Sequence, residues 1–144
     1  AFLGARVVID LGKFPERVLR INNGTPLALT VSGSLIEERP DLVARWLANV
    51  IEAAEWAKRH RDETLRIVAA ESGVAEEIAR EAYGERLPDQ LVPDLADDKV
   101  AALVSQKNFL FEHGFIKKDF ALDRFIVRGP LVEANRLVRH APSG

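Results

Sequence analysis

His60, His113 and His140 are the chain's three imidazoles, and none has a second histidine three or four positions away to share a helix face. Zinc or iron ligation relies on such local pairing, so these residues are expected at helix ends and on the surface, and no metal is assigned. The acidic pairs Glu37-Glu38, Glu76-Glu77 and Asp97-Asp98 are sequence neighbours. Adjacent carboxylates diverge on a helix or, at its start, answer the partial positive charge there, so they do not form a catalytic pair. Ser32, Ser34, Ser72 and Ser105 lack the Gly-x-Ser-x-Gly setting of a nucleophile elbow. No phosphate-cradling glycine loop occurs, and no cofactor is implied. The absence of cysteine removes thiol nucleophiles, disulfides and thiolate metal sites together. No catalytic residue is assigned.

Two groups of residues suit binding instead. Asn22, Asn23 and Thr25 offer amide, hydroxyl and backbone N–H donors, which hold a small oxyanion without a full counter-charge. The same residues, with Gly24 between them, also suit a tight turn, because Asn and Gly tolerate positive φ. Trp46 and Trp56 could form a stacking platform, yet Trp46 falls on an apolar helical stripe and Trp56 lies beside it, so both are expected in the core.

The elements that would carry these residues follow from the pattern. Arg6 to Leu11 is β-branched and apolar and predicts a short buried strand closed by Gly12. Leu27 to Ile36 predicts a second strand, with Gly33 at a bulge or close backbone approach. Pro40 suits the first turn of a helix, and Val43, Trp46, Leu47, Val50, Ala54 and Ala57 follow at helical steps over some twenty residues. Asp62 and Glu63 open a second helix that Gly73 closes, and a third runs from Val74 to Tyr83. Pro88 and Pro93 bracket an extended linker, Leu87 to Leu95, anchored by Leu91 and Val92. A fourth helix begins at Asp97-Asp98 and stops at Gly114, with Phe115-Ile116 packing back; a last one opens at Pro130.

With 20 basic and 22 acidic side chains, net charge −2 and pI about 6.0, the chain presents no field suited to a polyanion, which excludes nucleic acid as a partner. No apolar run reaches the roughly 18–20 residues needed to cross a bilayer. The chain contains no methionine and opens on Ala1-Phe-Leu-Gly-Ala-Arg6, from which a fragment of a longer protein is expected.

Several segments together resemble one family. Gly4-Ala-Arg-Val-Val-Ile-Asp-Leu11, Asn23-Gly-Thr25 with Leu27 to Ile36, Glu38-Arg-Pro-Asp-Leu-Val43, Ala53-Ala-Glu-Trp-Ala57 and Leu110-Phe-Glu-His-Gly-Phe-Ile116 occur in the order and spacing of the substrate-binding proteins of ABC importers for nitrate, sulfonates and taurine. A desulfinase built on the same fold shares the pattern. The resemblance implies an α/β, helix-rich chain: the C-terminal fragment of a type II periplasmic binding protein fold, with two to three short strands and five to six helices. Residues 1–25 would end the second lobe and cross over, and residues 26–144 would supply the return strand and the helical C-terminal part of the first lobe. The function implied is non-enzymatic, the solute-binding component of an ABC transporter for an alkanesulfonate, taurine or nitrate. The alternative is the C-terminal part of a desulfinase-like hydrolase whose nucleophilic cysteine lies upstream. Asn22, Asn23 and Thr25 would then touch the anionic solute, with a membrane permease as partner of the full-length parent. The implied location is periplasmic or extracellular, with or without a membrane anchor. Strands left without neighbours would favour a homodimer of the fragment.

Overall fold

The computed structural model describes residues 28–140 apart from 85 and 86, together with Arg6, Val8, Ile9 and Pro15. Two compact units divide the chain: one comprises Ala1–Thr30 and Leu95–Val127, the other Val31–Asp94 and Arg128–Gly144. Among the described residues there are seven α-helices and no strand.

The second unit is built on helix α2, Pro40–Arg59, preceded by the short α1, Gly33–Glu38. It continues through α3 (Arg61–Ser72), α4 (Glu76–Tyr83) and the single turn α5 (Leu87–Gln90), and it closes with α7, Gly129–His140. Helix α7 packs along α2, and the two meet through Ala48 and Ile51 on one side and Ala134 on the other, with Leu47, Leu131, Leu137 and Val138 around them. Alanine at these positions lets the backbones approach closely, while Ile51 supplies the bulk. Burying such a side chain is worth about 1.5–3 kcal/mol. A second small cluster joins α3 to α4 through Leu65, Ala69 and Ala79.

His60 ends α2 and begins α3. Its N–H bonds back to the carbonyls of Trp56 and Ala57, and its own carbonyl accepts from the Thr64 N–H at 2.8 Å and the Thr64 hydroxyl at 2.9 Å. Thr64 is thereby buried with its polar group satisfied. At the end of α3, Gly73 adopts φ 66°. The N–H of Val74 then reaches the Ala69 carbonyl and that of Gly73 the Ala70 carbonyl, the paired bonds of a Schellman motif.

The first unit is described over residues 28–30 and 95–127 and at Arg6, Val8, Ile9 and Pro15. Its helix α6, Asp97–Glu112, ends in the same motif. Gly114 takes φ 74°, Phe115 N–H bonds Leu110 O at 2.8 Å, and Gly114 N–H bonds Phe111 O at 3.1 Å. A 3-10 turn, Leu122–Arg124, follows.

Several expectations are corrected. The strand over Leu27 to Ile36 is not formed: residues 28–32 are irregular and Gly33 starts α1 rather than a bulge. Ser32 decides this locally, because its Oγ accepts the Leu35 N–H at 3.3 Å and caps a helix, whereas a strand needs a ladder partner that no described residue supplies. Val8 and Ile9, expected in a buried strand, are exposed and not in a strand. The two to three strands of a type II binding-protein fold are therefore not found among the described residues; the helix-rich character is, with α1 and α5 added to the helices expected. The linker from Leu87 is partly helical, and Pro88 is its buried anchor while Leu91 is exposed. Phe115 does not pack back into a core; it is 70% exposed and stacks on Phe109 with ring centroids 6.5 Å apart.

Candidate functional site

Asn22, Asn23 and Thr25, the expected oxyanion ligands, lie outside the described residues. Three local arrangements among the described residues engage other side chains with chemical potential.

The first is the start of α2. Arg39 holds the N-cap position without a capping bond, Pro40 follows, and the Arg39 guanidinium instead clamps Asp41, with Nε to Oδ1 at 3.0 Å and the terminal nitrogen to Oδ2 at 3.1 Å. Arg45 approaches the same carboxylate at 3.7 Å, one turn on. The hydrogen bonds from Arg39 hold the Asp41 carboxyl below the usual carboxylate range. This gives the Glu38-Arg-Pro-Asp41 segment a physical role: proline sets the first turn, and a carboxylate sits where the helix N-terminus favours negative charge. Beside it, Leu42, Arg45, Trp46, Ala48, Asn49 and Leu137 line a shallow, open hollow of about 490 Å³. Trp46 is 46% exposed there and not in the core, because the face of α2 that α7 covers is centred on Ala48 and Ile51. Small side chains, not the largest one, chose the packing face.

The second arrangement occurs twice, at the ends of α2 and α6. Trp56 stacks on His60 at 4.4 Å, and His60 Nδ1 lies 2.9 Å from the Trp56 carbonyl; Phe109 stacks on His113 at 4.1 Å, and His113 Nδ1 lies 2.9 Å from the Phe109 carbonyl. A carbonyl only accepts, so Nδ1 carries the proton in both rings. The imidazoles serve as helix-end caps, and the signal was present in sequence as an aromatic residue four positions before each histidine.

The third arrangement joins Lys107 of α6 to the segment after it. Lys107 is largely buried, and its Nζ donates to Asp119 Oδ1 at 2.5 Å; the same oxygen accepts the Phe120 N–H at 2.8 Å. These bonds, that of Lys107 foremost, hold the Asp119 carboxyl below its ordinary value. Lys107, Asp119, Phe120 and Leu122 belong to a shallow hollow of about 470 Å³. With its ammonium matched by a carboxylate, the pair ties the segment to the helix and does not present a free acid or base. Sequence reasoning passed over it, since twelve residues separate the partners and no local period links them.

Among the described residues no three His, Asp or Glu side chains come together in a group that could hold a metal ion. None of their helices is long and apolar enough to cross a membrane.

Comparison with known proteins adds what the geometry lacks. The chain is similar to the 2'-hydroxybiphenyl-2-sulfinate desulfinases of Rhodococcus erythropolis and Rhodococcus qingshengii, each 34% identical over 137 residues. The match takes in 95% of this chain and 35% of each desulfinase, so the chain spans about a third of the length of these relatives. No family model matches the chain, and no solved structure does. The relatives are named as enzymes, which corrects the expectation of a non-enzymatic role. The likeness is to a desulfinase, and it supports the alternative reading of the sequence better than the importer reading.

Proposed function

We propose that this chain is part of a desulfinase-like enzyme, which cleaves the carbon–sulfur bond of an aryl sulfinate. One observation carries the reading: 34% identity to a desulfinase over 95% of the chain. The reaction is hydrolytic. Water delivers a proton to the ring carbon and oxygen to sulfur, so that an aryl sulfinate and water become the arene and bisulfite, with atoms and charge balanced.

Within this reading the chain contributes scaffold more than chemistry. It has no cysteine, and the lysines paired with carboxylates, Lys58 with Glu55 and Lys107 with Asp119, are held as ion pairs, so the reacting groups are assigned to the remaining polypeptide of the full-length protein. Asn22, Asn23 and Thr25 are the residues of this chain assigned to the sulfinate oxygens, since neutral donors hold that group and still release the product.

The test is bisulfite release from 2'-hydroxybiphenyl-2-sulfinate by the full-length protein. Equal amounts of arene and bisulfite are expected. Absence of turnover, together with tight equilibrium binding of taurine, an alkanesulfonate or nitrate, would return the assignment to solute binding.

A further inference from the structure

We propose that the hollow beside Trp46 binds an aromatic monoanion, an arene carrying one sulfinate, sulfonate or carboxylate group. The inference stands on side chains of α2 and α7 and does not need the desulfinase reading, although aryl sulfinates fall within this class.

The first argument is placement. Leu42, Arg45, Trp46 and Asn49 recur at steps of three and four, so one face of α2 carries a leucine, a guanidinium, an indole and an amide side by side. With Ala48 and the half-buried Leu137 of α7 they line the hollow of about 490 Å³, a size within the roughly 300–1,000 Å³ of small-molecule sites. Leu137 packs into the α2–α7 seam, so that wall is fixed by the core behind it. Trp46 and Leu42 are exposed, which leaves aromatic and apolar surface open to a ligand ring.

The second argument is charge. Arg39 grips Asp41 through two bonds of 3.0 and 3.1 Å, which match the single negative charge of that carboxylate. Arg45 approaches the same carboxylate only at 3.7 Å, beyond hydrogen-bonding distance. Two guanidiniums therefore share one carboxylate, and the excess positive charge falls to Arg45, the one of the two that lines the hollow. None of the six lining residues is acidic.

The third argument is the combination. A guanidinium pairs two oxygens of a carboxylate or sulfur oxyanion at once, the Asn49 amide offers further donors, and an indole stacks on an arene. An inorganic anion would leave Trp46 and Leu42 unused, and a neutral arene would leave the charge of Arg45 unanswered. A ring with one anionic group uses both. Because the hollow is open and shallow, the expected dissociation constant is on the order of millimolar.

Fluorine NMR of the full-length protein labelled with fluorotryptophan tests this, the Trp46 resonance being identified by its loss in Trp46→Phe. Benzenesulfinate should shift that resonance saturably. It should do so at concentrations several-fold lower than benzyl alcohol, which has a ring without the charge, or methanesulfinate, which has the charge without a ring. Arg45→Gln should weaken benzenesulfinate binding about five- to tenfold, whereas Arg66→Gln, which removes an exposed charge on α3, should leave it unchanged. A Trp46 resonance that does not respond overturns the proposal, and so does an equal response to either control compound. Arg45→Gln binding as tightly as the original protein, or Arg66→Gln weakening it equally, also overturns it. The readout is local to Trp46 and does not depend on turnover. A protein that binds here and leaves aryl sulfinates intact removes the catalytic reading alone, and an active protein whose Trp46 does not respond removes this site alone.

Discussion

Helices α2 and α6 look alike as sequence, each a long segment with apolar residues at three- and four-residue steps and acidic residues in its first turn, yet they are used differently. Helix α2 buries six residues, four of them alanine, whereas α6 buries Ala102 alone and leaves Val104, Phe109 and Phe111 exposed. Both end at a histidine stacked on the aromatic residue four positions earlier. The contrast separates two properties that an apolar stripe conflates. A stripe says which residues gain from leaving water, but only a complementary surface decides whether they do.

The largest test of this contrast is at the α2–α7 seam. Ile51→Ala should destabilise the chain by about 2–5 kcal/mol in urea unfolding, because Ala48 and Ala134 are too small to close the space left behind. A loss under about 1 kcal/mol would mean that α2 is no better packed than α6.

Next is the stop signal of α6. Gly114 takes φ 74° with open space where a Cβ would stand, so Gly114→Ala meets backbone strain and no clash. A loss of about 1–2 kcal/mol is expected from the left-handed conformation alone. An unchanged urea midpoint would show that α6 does not rely on that cap.

The ion pair on α6 gives a smaller, pH-dependent effect. Lys107 lowers the Asp119 pKa, so the pair's contribution is present above the unfolded carboxylate value and is lost as pH falls through the lower folded value. Lys107→Met should move the Asp119 titration, followed by NMR, up toward the ordinary carboxylate range. An unmoved titration would show that the carboxylate owes its low value to the Phe120 N–H instead.

The smallest effect is expected at Phe109→Ala. Phe109 is 52% exposed, so in this chain the change should cost under about 1 kcal/mol beyond the lost stack on His113. A loss as large as that of Ile51→Ala would erase the difference between the two helices.

Much of the helical architecture was legible beforehand. Pro40 at the first turn of α2, Gly73 and Gly114 in positive φ, and acidic pairs opening α4 and α6 are local devices whose physics lies within four or five residues. The segment from Leu27 to Ile36 reads as a strand because Leu27, Leu29 and Val31 alternate, whereas Ser32 caps the Leu35 N–H and starts a helix there. The Lys107–Asp119 pair could not be seen at all, since it depends on the path taken after Gly114.

What the amino-acid order determined alone was therefore the presence of the five longer helices α2, α3, α4, α6 and α7, the lack of any thiol, and a likeness to desulfinases spread along the chain. Tertiary structure decided which face of each helix is covered. That choice turned on the fit between Ala48, Ile51 and Ala134, which excluded Trp46 from the interior despite its greater apolar area. Hydrophobicity is a property of one residue, whereas close packing belongs to two surfaces at once.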